Sequence, residues 1–357
     1  MLLEKLSNAR GASGDEGAVR AIITAHLQKY ADEYRVDALG NVLALKRASQ
    51  RGAPRNPRRV MVAAHMDEVG FLVTHIDRDG MLQFEKIGGI DDRILPSKAV
   101  LVGAYAVPGV IGLKPQHRTT ESERKKVVPA DALRIDIGAS SREDALRVVT
   151  PGEYATFATK FSAFGDNCVR GKALDDRAGC ALLCELVRDT YPFDLYAAFT
   201  TQEEIGLRGA RAAGHSGAPD AALVLEATVC DDSPKAREQS PTTRLGAGPA
   251  LTLADRGLLA DKALTRWLAE TAQQEKIPFQ YKQPLVGGTD AGTLHRVRAG
   301  VPSAVISIPA RYIHSPAAVI SLDDFYAALK LARAALPKFA DVTGVGDESH
   351  RKNLSRL

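Results

Sequence analysis

The sequence predicts an α/β fold, a sheet covered by helices, interrupted by a small inserted β domain. Three observations carry this reading. From Gly171 onward strand and helix patterns alternate, as they do where helices connect the strands of a sheet. Between about residues 69 and 161 the texture changes to short alternating segments separated by glycine and proline, which reads as all-β. Helix and buried-strand patterns also precede residue 69, so the α/β part is built from both ends of the chain.

Taken in order, Val19, Ile22, Ile23 and Leu27 form an apolar stripe at helical spacing, which predicts a helix over 16–30. Residues 34–45 read as two strands around Leu39-Gly40-Asn41, whose glycine permits a tight reversal. A Pro/Gly/Arg loop over 50–58 leads into a short buried strand, 59–64, that ends at His65. The β region offers segments 71–76, 81–87, 99–107 and 133–137, plus a loop, 114–126, with few large apolar residues. Beyond it, strand candidates 193–200, 221–226, 250–253, 279–283 and 301–308 alternate with helix candidates 176–189, 207–213, 258–275 and 323–336. The expected organisation is one domain from 1–68 and 162–357, with 69–161 inserted. No internal repeat is visible.

At 357 residues the chain suits one large domain and a smaller one. A composition of 45% hydrophobic and 25% charged residues is the ordinary globular balance and argues against extensive disorder. The 47 basic and 43 acidic residues leave a net charge of +4, without a basic stripe interleaved with aromatics, which excludes a nucleic-acid partner. The basic run 124–126 reads as a solvated loop. The first ten residues carry Glu4 and no sustained apolar stretch, unlike a secretory signal. Apolar runs such as 60–64 fall far short of the roughly 20 residues a membrane span needs. The cysteines (168, 180, 184 and 230) show neither zinc-ribbon spacing nor a disulfide framework. Cys180 and Cys184, one helical turn apart, read as small packing residues. A soluble, cytoplasmic protein is expected.

The chemistry lies at the strand ends. The 59–64 strand runs into His65-Met66-Asp67, the 193–200 strand into Gln202-Glu203-Glu204, and the 221–225 strand into Glu226. The 301–308 strand leads through Pro309 to Arg311-Tyr312-Ile313-His314, and Lys172-Ala173-Leu174-Asp175-Asp176-Arg177 opens a helix. Ligands of open α/β sheets bind at the carboxyl ends of strands. So many carboxylates at one edge raise each other's pKa unless a positive charge compensates them. Two divalent cations would supply that charge, and mixed histidine and carboxylate donors suit zinc, cobalt or manganese better than magnesium or calcium. Each pair alone is a weak signal; four strand ends together are a strong one.

Five blocks in this order resemble the tetrahedral (TET) aminopeptidases, also called glutamyl or deblocking aminopeptidases and sometimes labelled endoglucanase M. They are Ala64-His65-Met66-Asp67-Glu68-Val69-Gly70, Ala173-Leu174-Asp175-Asp176-Arg177-Ala178-Gly179 and Gln202-Glu203-Glu204-Ile205-Gly206-Leu207-Arg208-Gly209-Ala210. Gly287-Gly288-Thr289-Asp290-Ala291-Gly292 and Arg311-Tyr312-Ile313-His314-Ser315-Pro316 complete the set. The likeness extends from Gly11-Ala12-Ser13-Gly14-Asp15-Glu16 to Asp323.

This resemblance implies a mixed sheet of the dinuclear metallo-exopeptidase type with a β-barrel-like insert. It implies that His65 and Glu226 bind one metal, Glu204 and His314 the other, and that Asp175 bridges them beside a cis peptide. Spacing alone does not separate Asp175 from Asp176. Asp67 resembles the carboxylate that orients a ligand histidine, Glu203 resembles the general base, and Thr289 and Asp290 resemble residues bordering the substrate pocket. Glu226 departs from the aspartate common in the family. The other six histidines match no block and read as surface or helix-face residues. The implied partners are peptide substrates and further copies of the chain, the insert building a large homo-oligomer, a tetrahedral dodecamer in relatives.

The implied activity is removal of the amino-terminal residue of peptides. A deacylase or dipeptidase with the same two-metal centre is the alternative. A glycosidase using Glu203 and Glu204 fits poorly, because adjacent residues are badly placed to flank a sugar at ~5–9 Å and the histidines would have no role. A non-catalytic assembly protein would not need every block intact.

Overall fold

The computed structural model describes residues 1–49, 57–233 and 242–342. Four parallel strands form the centre of its main sheet: Asp194–Thr200, Arg59–His65, Ala221–Cys230 and Ser303–Arg311, in that spatial order. Their residues are almost wholly buried on both faces, as parallel strands covered by helices must be. Antiparallel strands flank them: Val42–Lys46 and Glu33–Val36 on one side, Ala318–Ser321, Cys168–Gly171 and Ser162–Ala163 on the other. The sheet is therefore mixed. On one face the helices Leu2–Asn8, Gly17–Tyr30, Leu174–Leu186, Lys262–Gln274 and Leu322–Val342 close the largest apolar core. Arg208–Gly217 and Ala291–Leu294 pack on the other.

Gly70–Ile76, Leu82–Ile87, Ile135–Asp136, Val107–Ile111, Ala99–Val102 and Tyr154–Phe157 close into a six-stranded antiparallel barrel with a separate core. Phe71 stands at its centre, edge-on to Phe84 and Phe157. The expected fold class, a mixed sheet with helices and a barrel-like β insert, is the one observed. No helix among the described residues is long and apolar enough to cross a membrane.

Element boundaries differ where turn chemistry decides them. The segment 99–107, expected as one strand, is the start of a hairpin whose turn holds Gly103 and Ala106 at positive φ; alanine gives no signal for such a turn. The helix expected from 258 begins at Lys262, where Asp261 accepts hydrogen bonds from the Ala263 and Leu264 amides. Within 114–126, Thr120 and Glu123 form a capping box around a helical turn, Glu121–Arg124. Strands 279–283 and 250–253 shorten to Gln280–Tyr281 and Ala250–Leu251. Most of the 50–58 loop lies outside the described residues. Cys180 and Cys184 are buried in the core, where they were expected to pack.

Candidate active site

The parallel register brings the ends of the central strands to one level: Thr200 pairs with His65, while Glu226 pairs with Ser307 on the 303–311 strand. His65, at a strand end, places Nε2 3.2 Å from Asp175 Oδ1 and 3.1 Å from Glu226 Oε1. His314, in the loop after the Ser303–Arg311 strand, places Nε2 3.4 Å from Asp175 Oδ2 and 3.2 Å from Glu204 Oε2. Each oxygen of Asp175 thus faces a different histidine, and each histidine faces its own glutamate.

Asp175 and Asp176 are joined by a cis peptide, and neither has helical backbone angles. Asp176 accepts the backbone N–H groups of His65 (3.1 Å) and Gly179 (2.9 Å) and makes no hydrogen bond to a histidine side chain. A Cβ at Gly179 would lie 2.4 Å from Asp176 Oδ1, so glycine is required there. Asp67 lies 3.4 Å from His65 Nδ1 and accepts Ser13 Oγ (2.6 Å), the Glu203 amide (3.0 Å) and the Glu204 amide (3.2 Å). His314 Nδ1 is 3.2 Å from the Gly89 carbonyl, which belongs to the barrel segment.

Burial governs the charges. It pushes the Glu226 carboxyl up to about 8 and Glu204 to about 7, partly offset by the neighbouring histidines. It drives Glu203 and Asp176 well above the usual carboxylate range. For the histidines burial acts the other way and is overcome: Asp175 and Glu204 raise His314 to about 9, while Glu226 and Asp175 raise His65 well above its ordinary value. Asp175 is held below the usual range, because hydrogen bonds to both histidines outweigh its burial, and His65 and Ser13 likewise lower Asp67. A cluster that draws protons onto its histidines is one that a metal cation can neutralise instead. His65, Asp175 and Glu204, and likewise His65, Asp176 and Glu226, bring donor atoms within 4.8 Å of one another. The donor set fits divalent metal.

A pocket of 370 Å³ opens over these groups, lined also by Glu203, Leu207, Thr228, Lys282 and Val286 to Gly288. Thr289 and Asp290 are buried and are not among its lining residues; Asp290 accepts the Thr200 hydroxyl at 2.5 Å. Sequence reasoning gave no roles to Ser13, Glu68, Lys172 and Arg177, which brace the site from behind. Their only signal was position within the family blocks or beside them.

Solved structures sharing this architecture include aminopeptidases. A TET aminopeptidase from a marine-sediment Thaumarchaeota archaeon superposes with a TM-score of 0.90 at 37% identity, over 95% of this chain and 97% of that one. The Pyrococcus horikoshii TET1 peptidase, which can assemble into a tetrahedron or a large octahedral shell, gives 0.83 at 33%, over 94% and 99%. Fold and site therefore define a peptide hydrolase of the aminopeptidase class. The lysyl aminopeptidase of Pyrococcus furiosus is 34% identical over 94% of this chain and 96% of its own length. The M42 glutamyl aminopeptidase family model matches residues 40–331, and the chain belongs to that family.

Proposed function

We propose that this aminopeptidase holds two divalent metal ions, zinc or cobalt foremost and manganese as a third choice, and uses them to release the amino-terminal residue of peptides. His65 and Glu226 hold one ion, Glu204 and His314 the other, and Asp175 bridges them. The observation that carries this reading is Asp175 itself, whose two oxygens address two histidines on opposite sides. When bound, such a pair supplies charge that polarises the scissile carbonyl and acidifies water.

The chain's own groups do the rest. Glu203 lines the pocket beside the donors, and burial raises its proton affinity toward the range a general base needs. It takes the water's proton and passes it to the departing amine. Asp67 fixes the imidazole of His65 and the 203–204 turn together.

The division into 1–68 with 162–357 for catalysis and 69–161 for self-association belongs to this proposal. The closed barrel and the tetrahedral and octahedral shells of the Pyrococcus horikoshii relative support a large homo-oligomer, a tetrahedral dodecamer, that admits unfolded peptides. The four cysteines are free, which suits a reducing cytoplasm.

The test is chelation followed by metal restoration on a panel of aminoacyl chromogenic substrates. Activity should vanish with chelator and return with zinc, cobalt or manganese. Full activity in metal-free protein would refute the proposal, and turnover of acylated but not free amino termini would favour the deacylase.

A further inference from the structure

Exposed arginines of this chain commonly stand in ion pairs: Arg47 with Glu33, Arg93 with Asp91, Arg188 with Glu185 and Arg333 with Asp189. One face departs from that pattern. The helix Arg208–Gly217 carries Arg208, Arg211 and His215 at spacings of three and four, so they share a side of it. Just past the short helix Ala291–Leu294 come Arg296 and Arg298, the latter held at φ 59 in the left-handed region that arginine rarely adopts. Gly214 lets the two segments close on each other, since a Cβ there would lie 2.8 Å from the Leu294 side chain and 3.0 Å from that of Val297.

Between them lies a cavity of 960 Å³ lined by all four arginines and His215, with no carboxylate among the described residues that line it. Arg208 and Arg296 reach only uncharged oxygens, Gln202 Oε1 at 3.4 Å and the Gly292 carbonyl at 2.8 Å. The side chains of Arg211, Arg298 and His215 make no hydrogen bond or ion pair among the described residues. Neither 205–219 nor 291–322 contains an aspartate or a glutamate, so neither segment supplies the missing counter-charge. Leu207 lines this cavity and also the pocket over the metal donors, which makes the two neighbours.

We propose that this cavity is a binding site for a phosphate-rich anion, separate from the catalytic centre. Its volume falls within the ~300–1,000 Å³ of small-ligand sites. Guanidinium forks match phosphate oxygens two at a time. A chain of phosphates also concentrates several charges in one small ligand, where a peptide spreads its carboxylates over many residues. No aromatic side chain is among the described residues lining the cavity, so a single-stranded nucleic acid would find nothing on which to stack its bases. The phosphates could belong to an inorganic polyphosphate or to a nucleotide, and the experiment separates the two.

The metal-supplemented full chain is dialysed to equilibrium against tripolyphosphate, ATP and N-acetyl-hexaglutamate, alongside Arg211→Gln, Arg298→Gln and the double variant. Both side chains are exposed, so the variants should fold, which thermal unfolding checks. The wild type should bind a single tripolyphosphate per chain. Each substitution should weaken that binding by about 10–100-fold, the scale of a lost charge-assisted hydrogen bond, and the double variant should bind more weakly still. ATP bound more tightly than tripolyphosphate assigns the site to a nucleotide; equal or weaker binding assigns it to the phosphate chain itself. A wild type that binds neither phosphate overturns the proposal. So does binding that the double variant keeps, because the phosphate then sits elsewhere, on the metal ions first of all. N-acetyl-hexaglutamate bound as tightly as tripolyphosphate overturns it in favour of an acidic-peptide groove. Variants with an altered assembly size assign the arginines to a subunit contact and overturn it too.

Discussion

Glu203 and Glu204 are neighbours with opposite surroundings. Both backbone amides donate to Asp67, so one carboxylate sets the turn that presents both side chains. The Glu204 carboxylate then faces His314, whereas that of Glu203 makes no hydrogen bond or ion pair among the described residues. Glu203→Gln should therefore keep the full metal complement and lose turnover by ~10²–10⁴-fold, the usual contribution of a positioned base. Glu204→Gln should lose metal, with part of the activity returning at high metal concentration. Metal content and turnover measured on the two proteins side by side check this; metal loss in Glu203→Gln with retention in Glu204→Gln would reverse the roles. At this scale the residue types were legible, because histidines and carboxylates recur after buried strands. The direction of each side chain was not. Asp175 and Asp176 are identical in type and adjacent, and only the local backbone turns one to the histidine side chains and the other to backbone amides.

Among the elements, a buried ionic knot ties the first helix to the catalytic sheet. Arg177 is fully buried on the Leu174–Leu186 helix and donates to the carbonyls of Leu6, Ala9, Gly11 and Met66. Lys172 donates to Ala9 O and to Glu68 Oε1, and Arg177 also reaches Glu68. Glu68→Gln leaves two buried cations without their counter-charge and should destabilise the protein by ~3–5 kcal/mol. The pH dependence has a definite sign. Burial lowers Lys172 to about 8, below its unfolded value, so the cost of burying its charge is complete below pH 8. That cost fades as pH rises from 8 toward about 10.4, the unfolded value. Without Glu68 the folded-state pKa of Lys172 falls further. The Lys172 share of the Glu68→Gln deficit should therefore fade as pH rises to about 8, above which Lys172 is neutral in both folded proteins and the share due to Arg177 remains. Thermal unfolding of both proteins from neutral to alkaline pH is the check; a variant as stable as wild type at pH 7 would contradict it. This knot was invisible to periodicity and motif reading, since Glu68 and Arg177 meet only after the strand and helix have packed.

Over the whole molecule, strand order does what no single motif can. The central strands Arg59–His65, Asp194–Thr200, Ala221–Cys230 and Ser303–Arg311 lie far apart in sequence and side by side in the sheet, so their ends and following loops converge. The alternation of strands and helices was legible as an α/β sheet, and the Gly/Pro-punctuated middle as a separate β unit. The barrel's closure, and the contact of its Gly89 carbonyl with His314, depend on long-range pairing that leaves no local pattern. That contact makes the insert part of the site as well as a candidate surface for assembly. The central claim, two ions bridged by Asp175 in each chain, is tested most directly by native mass spectrometry of the active enzyme. The account predicts a large homo-oligomer carrying two divalent ions per chain, with Asp175→Asn losing both to chelator more readily than wild type. An active enzyme with one ion per chain, or none, would contradict it.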